Sequence, residues 1–123
     1  MTQSTNTHLS LSVVIANVTV AADWTKMVET AVSKFGGLDI LINNAGTSYR
    51  NKPTLEVTEA EFDCVMNVNV KSIFFSIGAV VPELQKRGGG SIVNIASIGA
   101  TRPRPGLVWY NASKGAVANV CLR

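Results

Sequence analysis

Glycine is absent from the first 35 residues of this 123-residue chain and begins only at Gly36. A phosphate-cradling turn needs glycines where the backbone approaches an anion, so no such turn is expected ahead of the first helical pattern. Charge is scarce as well: Asp, Glu, Lys and Arg make up 15% of the residues, against about a quarter in an average soluble domain. The eleven Lys and Arg are scattered, with only Lys86 and Arg87 adjacent, and the formal net charge is +3. A nucleic-acid surface requires clustered cations, so no nucleic-acid partner is expected. Cysteine occurs twice and histidine once. Cys64 and Cys121 have no Cys or His at ligand spacing and read as reduced thiols, which argues against a metal centre or a disulfide framework. The longest nearly apolar run, residues 73–82, is about half of the roughly 20 residues a membrane helix needs, and no membrane span is expected. Residues 1–12 carry no Lys or Arg and no long apolar core. Neither a secretory nor a transit leader is read there, and the expected address is cytoplasmic.

What is present is a 46% hydrophobic chain, long enough for one small core. Residues 1–12 read as an irregular lead-in, and residues 13–123 as a single domain in the order strand, helix, strand, helix, strand, helix. Val13–Ala16 is a short apolar run. Trp24, Met27, Val28, Ala31, Val32 and Phe35 then recur at helical spacing until Gly36-Gly37 supplies a stop. Leu38–Ile42 is the second strand. Thr58 and Glu61 form a capping box ahead of Phe62, Val65 and Met66, and helical character continues to Arg87 before Gly88-Gly89-Gly90, with a break expected near Asn67–Asn69. Ser91–Ile95 is the third strand and Leu107–Leu122 the last helix, after the Pro103/Pro105 loop. Apolar runs separated by helices indicate an α/β fold: a parallel sheet of about three strands with helices on both faces. The first run could also slide into a place beside Leu38–Ile42.

Candidate chemistry lies at the carboxyl ends of the strands, where open α/β sheets bind ligands. Asn43-Asn44-Ala45-Gly46 leaves the second strand there. Tyr110 and Lys114, four apart at the start of the last helix, share a face, so the ammonium can approach the phenol. A Tyr-x-x-x-Lys pair arises by chance in roughly one chain in five of this size, so it carries weight only with other motifs. A phenol that exchanges protons near neutrality must shed about three units from an ordinary value of about 10, or roughly 4 kcal/mol. One cation about 4 Å away supplies that order at an effective dielectric of about 20. Ser97, at the end of the third strand, could present a hydroxyl to the same point.

Asn43-Asn44-Ala45-Gly46, Val68-Asn69-Val70, Ser97 and Tyr110-Asn111-Ala112-Ser113-Lys114, in this order and spacing, resemble the short-chain dehydrogenases/reductases. The resemblance runs from about Val13 to Val120, and Arg102-Pro103-Arg104-Pro105-Gly106-Leu107 is similar to members related to 3-oxoacyl-acyl-carrier-protein reductase. It implies a Rossmann-type fold, NAD or NADP as cofactor, and interconversion of a carbonyl and an alcohol on a small-molecule substrate. It also implies roles: Tyr110 as general acid/base, Ser97 bonding the substrate oxygen, Lys114 favouring the phenolate and holding the ribose, and Asn69 anchoring a proton-relay water. Asn43, Asn44, Ala45 and Gly46 would line the cofactor pocket, and Asn17 would stand where the family usually has an Asp facing the adenine.

Complete relatives begin with a strand, a Thr-Gly-x-x-x-Gly-x-Gly turn and a helix, which this sequence does not contain. The expectation is therefore a family fragment, weakly active or inactive alone. The alternatives are a non-catalytic piece that pairs with a full-length relative or with itself through helices 62–87 and 107–122, and a truncated product without a selected role.

Overall fold

The computed structural model describes residues 10–120. Helix α1, Ala21–Phe35, places Trp24 inward, and the indole Nε1 donates to the Val18 carbonyl at 2.9 Å. The helix ends at Gly36, whose φ of +82° suits glycine and lets its N–H reach the Val32 carbonyl. Strand β1, Ile40–Asn43, and strand β2, Ser91–Asn94, pair in parallel with Ile40 opposite Ser91 and Asn43 opposite Asn94. Between them the chain forms a long helical run. Helix α2 is Glu59–Met66, a π-helical turn covers Asn67–Lys71, and helix α3 is Ser72–Lys86. Helix α4, Val108–Asn119, follows the loop after β2. The parallel α/β arrangement, the Gly36 stop and the capping box agree with the sequence reading.

Two features of the expected sheet need correction. It has two strands rather than three, because residues 13–16 pair with neither β1 nor β2. Leu11, Val13 and Ile15 alternate outward at 91%, 81% and 91% exposure. A strand is defined by its ladder, and β1 and β2 satisfy only each other among the described residues. Nor does that segment slide in beside β1. Helices on both faces are also not found: Leu41 and Ile92 are half-buried on the side packed by α3, whereas Ile40, Ile42 and Val93 on the other are 63%, 61% and 44% exposed. Period-two alternation puts successive side chains on opposite faces, so one uncovered face exposes every second residue. The last helix is shorter than the expected Leu107–Leu122: it begins at Val108 and ends at Asn119, because Val120 is extended (φ −76°, ψ 101°); Cys121 and Leu122 lie outside the described residues, as do residues 1–9, and Cys64 is an exposed thiol.

The break expected near Asn67–Asn69 is the π turn. It widens the helix by one residue and turns Asn69 inward, where it is 2% exposed; such bulges are common at functional sites. The run Glu59–Lys86, 28 residues with a mean hydropathy of 1.6 in its most apolar window, is long and apolar enough to cross a membrane. The ten-residue apolar stretch in the sequence understated it because Asn69 and Ser72 interrupt the pattern ahead of it, while Ser76 lies within it. These three are buried, on a helical run that packs against β1, α1 and α4, the position of a core helix.

The start of α2 is held by its cap. Thr58 Oγ1 accepts from the Glu61 N–H at 3.2 Å, and Glu61 Oε2 accepts from the Thr58 N–H at 2.9 Å. Lys52 Nζ lies 2.7 Å from Glu61 Oε1. The Lys52 ammonium, and then the Thr58 amide, hold the Glu61 carboxyl below its ordinary value of 4.5. A depressed folded value means that the stabilisation is present above the unfolded value and is lost as pH falls through the folded one. Urea midpoints for the parent chain and Glu61→Gln should therefore differ near neutrality and converge as the pH drops below 4.5. A gap that persists at low pH would show that the carboxylate charge plays no part.

Candidate active site

The carboxyl ends of β1 and β2 and the first turns of α4 bound one open cleft of about 370 Å³, lined by Asn44, Gly46, Thr47, Ser48, Ile95, Ala96, Tyr110 and Lys114. Lys114 is 6% exposed, and its Nζ donates to the Ile95 carbonyl at 2.7 Å, the first carbonyl beyond β2. Ser97 caps a 3-10 turn, Ile98–Ala100, and its Oγ accepts from the Gly99 N–H at 3.1 Å. A hydroxyl has one hydrogen and two lone pairs, so this bond leaves the Ser97 hydrogen free to donate elsewhere. A Cβ added at Gly99 would stand 3.6 Å from Ser97 Oγ and 3.7 Å from Tyr110 Cε1. Both side chains therefore border Gly99, while Tyr110 but not Ser97 is part of the cleft lining. The added Cβ would also meet Asn111 Oδ1 at 2.8 Å, so a larger residue there would displace the Asn111 side chain.

Asn69 joins three elements. Its Oδ1 accepts from the Thr47 N–H at 2.7 Å, and its Nδ2 donates to the Thr47 carbonyl at 2.9 Å and to Ser113 Oγ at 2.9 Å. The π turn, the loop after β1 and α4 are thereby fixed to one another. Asn43 turns away from the cleft: its Nδ2 donates across the sheet to Asn94 Oδ1 at 2.9 Å. Asn44 and Gly46 line the cleft, while Asn43, Asn44 and Ala45 line an adjoining groove with Val18 and Trp24. Asn17 is not brought to the cleft lining. Its Oδ1 closes a local turn, accepting from the Thr19 N–H at 3.0 Å and hydroxyl at 2.8 Å, and it approaches the site only through its neighbour Val18.

A second set of bonds holds the cleft's outer wall. Asn51 Nδ2 donates to the Pro105 carbonyl at 2.6 Å, the Lys52 N–H to the Gly106 carbonyl at 3.2 Å, and the Trp109 N–H to Tyr49 Oη at 3.1 Å. Asn111 accepts from the Arg104 N–H and donates to the Arg104 carbonyl at 3.3 and 2.9 Å. Sequence reasoning missed Thr47, Asn94, Asn111 and Ser113 as contributors. Asn94 carried one legible signal, a polar residue opposite Asn43 in an otherwise apolar strand, whereas the others are ordinary loop and helix residues until their partners are known. Among the described residues no three of His, Cys, Asp and Glu cluster closely enough to hold a metal ion.

A family model described as short chain dehydrogenase matches residues 1–122. The chain belongs to that family. It is 47% identical over 104 residues to 4-formylbenzenesulfonate dehydrogenase of Comamonas testosteroni, covering 85% of this chain and 41% of that protein. The solved 3-ketoacyl-(acyl-carrier-protein) reductase of Brucella melitensis, complexed with NADH, is 42% identical with a TM-score of 0.80, covering 83% of this chain and 44% of that one. ElxO with NADP bound is 33% identical with a TM-score of 0.77, over 82% and 41%. The chain thus spans about two fifths of the length of these family members.

Proposed function

We propose that this chain carries the proton-transfer and nicotinamide-side half of an NAD(P)-dependent oxidoreductase site that interconverts a carbonyl and an alcohol, and that the 123 residues alone bind the dinucleotide weakly. The observation that supports this reading is that Tyr110 and Lys114 line one cleft, with Lys114 Nζ held by the Ile95 carbonyl and with Ser97 and Tyr110 both bordering Gly99. The residues present fit the ribose and nicotinamide end of the cofactor. An ammonium has three donors, of which Ile95 takes one. A Cβ at position 46 would lie 3.4 Å from Lys114 Nζ and 3.5 Å from Asn69 Oδ1, so glycine keeps the space before the ammonium open. The diphosphate end has no comparable support, because no glycine-rich turn leads from a strand into a helix within these residues.

When bound, the nicotinamide supplies or accepts the hydride. The chain's own groups handle the oxygen and its proton. Ser97 donates its free hydrogen to the substrate oxygen, and Tyr110 gives that oxygen its proton in reduction or removes it in oxidation. Lys114 offers its remaining hydrogens to ribose hydroxyls. Asn69 has spent both amide hydrogens and one lone pair on Thr47 and Ser113, so its part is to hold the cleft walls in register, with one lone pair of Oδ1 left for a water. Titrating NADH against the purified chain should give affinity no tighter than about millimolar and negligible turnover of carbonyl substrates. Saturable micromolar binding with Tyr110-dependent turnover would overturn the weak-binding part.

A second reading, pairing with another family member through the long helices, is favoured by Phe74, which stands 73% exposed on α3. Co-purification with a full-length relative, lost in Phe74→Ser, would support it.

A further inference from the structure

We infer that Tyr49 is a positioning residue for Tyr110: its phenol caps α4 from the loop after β1 and so fixes the direction in which Tyr110 enters the cleft. The inference rests on the carbonyl chemistry proposed above and adds a residue to which that reading gives no part.

Helix α4 starts without a cap of its own. A helix leaves its first N–H groups without partners, and a Ser, Thr, Asp or Asn at the N-cap ordinarily accepts from the second or third of them. Here the N-cap is Leu107, which makes no side-chain capping bond. Val108 is the first helical residue and Trp109 the second. The Trp109 N–H, a group that a cap ordinarily takes, donates instead to Tyr49 Oη at 3.1 Å, across 60 positions of sequence. A phenol supplies this acceptor through its oxygen alone, so phenylalanine at position 49 would keep the ring and lose the cap.

The loop that carries Tyr49 is fastened on both sides of it. Thr47, two residues earlier, is bound at both backbone groups by Asn69. Asn51, two residues later, donates to the Pro105 carbonyl at 2.6 Å, and the Lys52 N–H reaches the Gly106 carbonyl at 3.2 Å. Gly106 has a φ of +74°, and a Cβ there would run into the Asn51 side chain. Glycine thus permits both the turn and the close approach of the two loops. Tyr49, half-buried between these fastenings, has little freedom to leave α4.

Tyr110 is oriented through its neighbours. Trp109 is fixed twice, by its N–H to Tyr49 and by its ring, which meets Phe62 of α2 edge-on with centroids 5.1 Å apart. Asn111 is tied to both backbone groups of Arg104. Lys114, one turn further along, is buried and held by the Ile95 carbonyl. Lys114 is therefore the fixed member of the pair, and fraying of the first turn of α4 would swing Tyr110 relative to it.

The test uses the whole chain and follows it by NMR. The chain has two tyrosines, so with an isotope label at tyrosine Cζ the Tyr49→Phe variant leaves the Tyr110 signal alone. The Trp109 amide of this variant should exchange with water roughly five- to tenfold faster, the scale of losing one helix cap. The Tyr110 Cζ signal should move from its place in the parent chain, while the amides of buried Val65 and Ile73, in α2 and α3, exchange as before. A tyrosine that only adds stability would speed all three amides by a common factor and leave the Tyr110 signal in place. That result overturns the inference, as does an unchanged Trp109 amide or an unmoved Tyr110 signal. If Tyr49→Phe does not fold, O-methyltyrosine at position 49 decides, because it keeps the accepting oxygen without its hydrogen. Exchange at Trp109 as in the parent then supports the cap, and faster exchange or failure to fold overturns it. No readout involves a cofactor or turnover, so the inference can fail while the carbonyl chemistry stands.

Discussion

Tyr110→Phe is expected to lower turnover by about 10²- to 10⁴-fold, the usual range for losing one positioned acid/base, while NADH affinity stays within about twofold. The measurement is made on this chain joined to a relative's glycine-rich N-terminal strand, turn and helix and its C-terminal elements, so that dinucleotide binding is not limiting. Holding two reactants in place can contribute roughly 7–11 kcal/mol to a barrier, and within these 123 residues that positioning lacks a diphosphate anchor. With the anchor supplied, the remaining requirement is a proton at the substrate oxygen. Tyr110 is the only hydroxyl in the cleft lining that shares a helical face with Lys114, one turn away. Phenylalanine keeps the ring and removes only the oxygen. A joined enzyme whose Tyr110→Phe variant keeps the parent rate would assign the proton to another group and would withdraw the proposed mechanism, whatever the outcome for Tyr49.

The residues around that cleft differ in how legible they were before the fold was known. That Tyr110 and Lys114 share one helix face could be read because fixed spacing on a helix constrains where side chains go. The Thr58 and Glu61 cap and the Gly36 stop were legible for the same reason, being set by neighbours three or four residues away. Strand status for residues 13–16 was not, because an alternating apolar run becomes a strand only when another chain segment bonds it, and β1 pairs with β2 instead. Asn17 illustrates a different limit. Its position matched a family pattern, yet the short range of its amide let Thr19 capture the oxygen locally. The outer wall, where Asn51 and Asn111 hold the Pro103–Pro105 loop, joins residues 54 positions apart, and nothing local marks them as partners.

The rigidity of the site should depend most on Asn69. Replacing it by leucine, which is close in volume, removes three hydrogen bonds at once. At 2% exposure the position is closed to solvent, so water cannot readily take the place of the amide, and the Thr47 N–H, the Thr47 carbonyl and Ser113 Oγ lose their partner. Ser113 still donates to the Tyr110 carbonyl at 2.7 Å, which leaves the two Thr47 groups as the main uncompensated ones. Each buried group left unpaired costs about 1–3 kcal/mol, and the apolar side chain returns only part of that through packing. A loss of roughly 2–4 kcal/mol is therefore expected for Asn69→Leu, measured as a fall in the urea midpoint at unchanged slope. Asn69→Asp gives the complementary result. Its carboxylate still accepts from the Thr47 N–H but has no hydrogen for the Thr47 carbonyl, so the variant should be destabilised even though its size and shape are kept. If both variants unfold at the parent midpoint, the π turn is held by apolar packing of Val65 and Ile73 on either side, and the polar junction at Asn69 contributes nothing to stability.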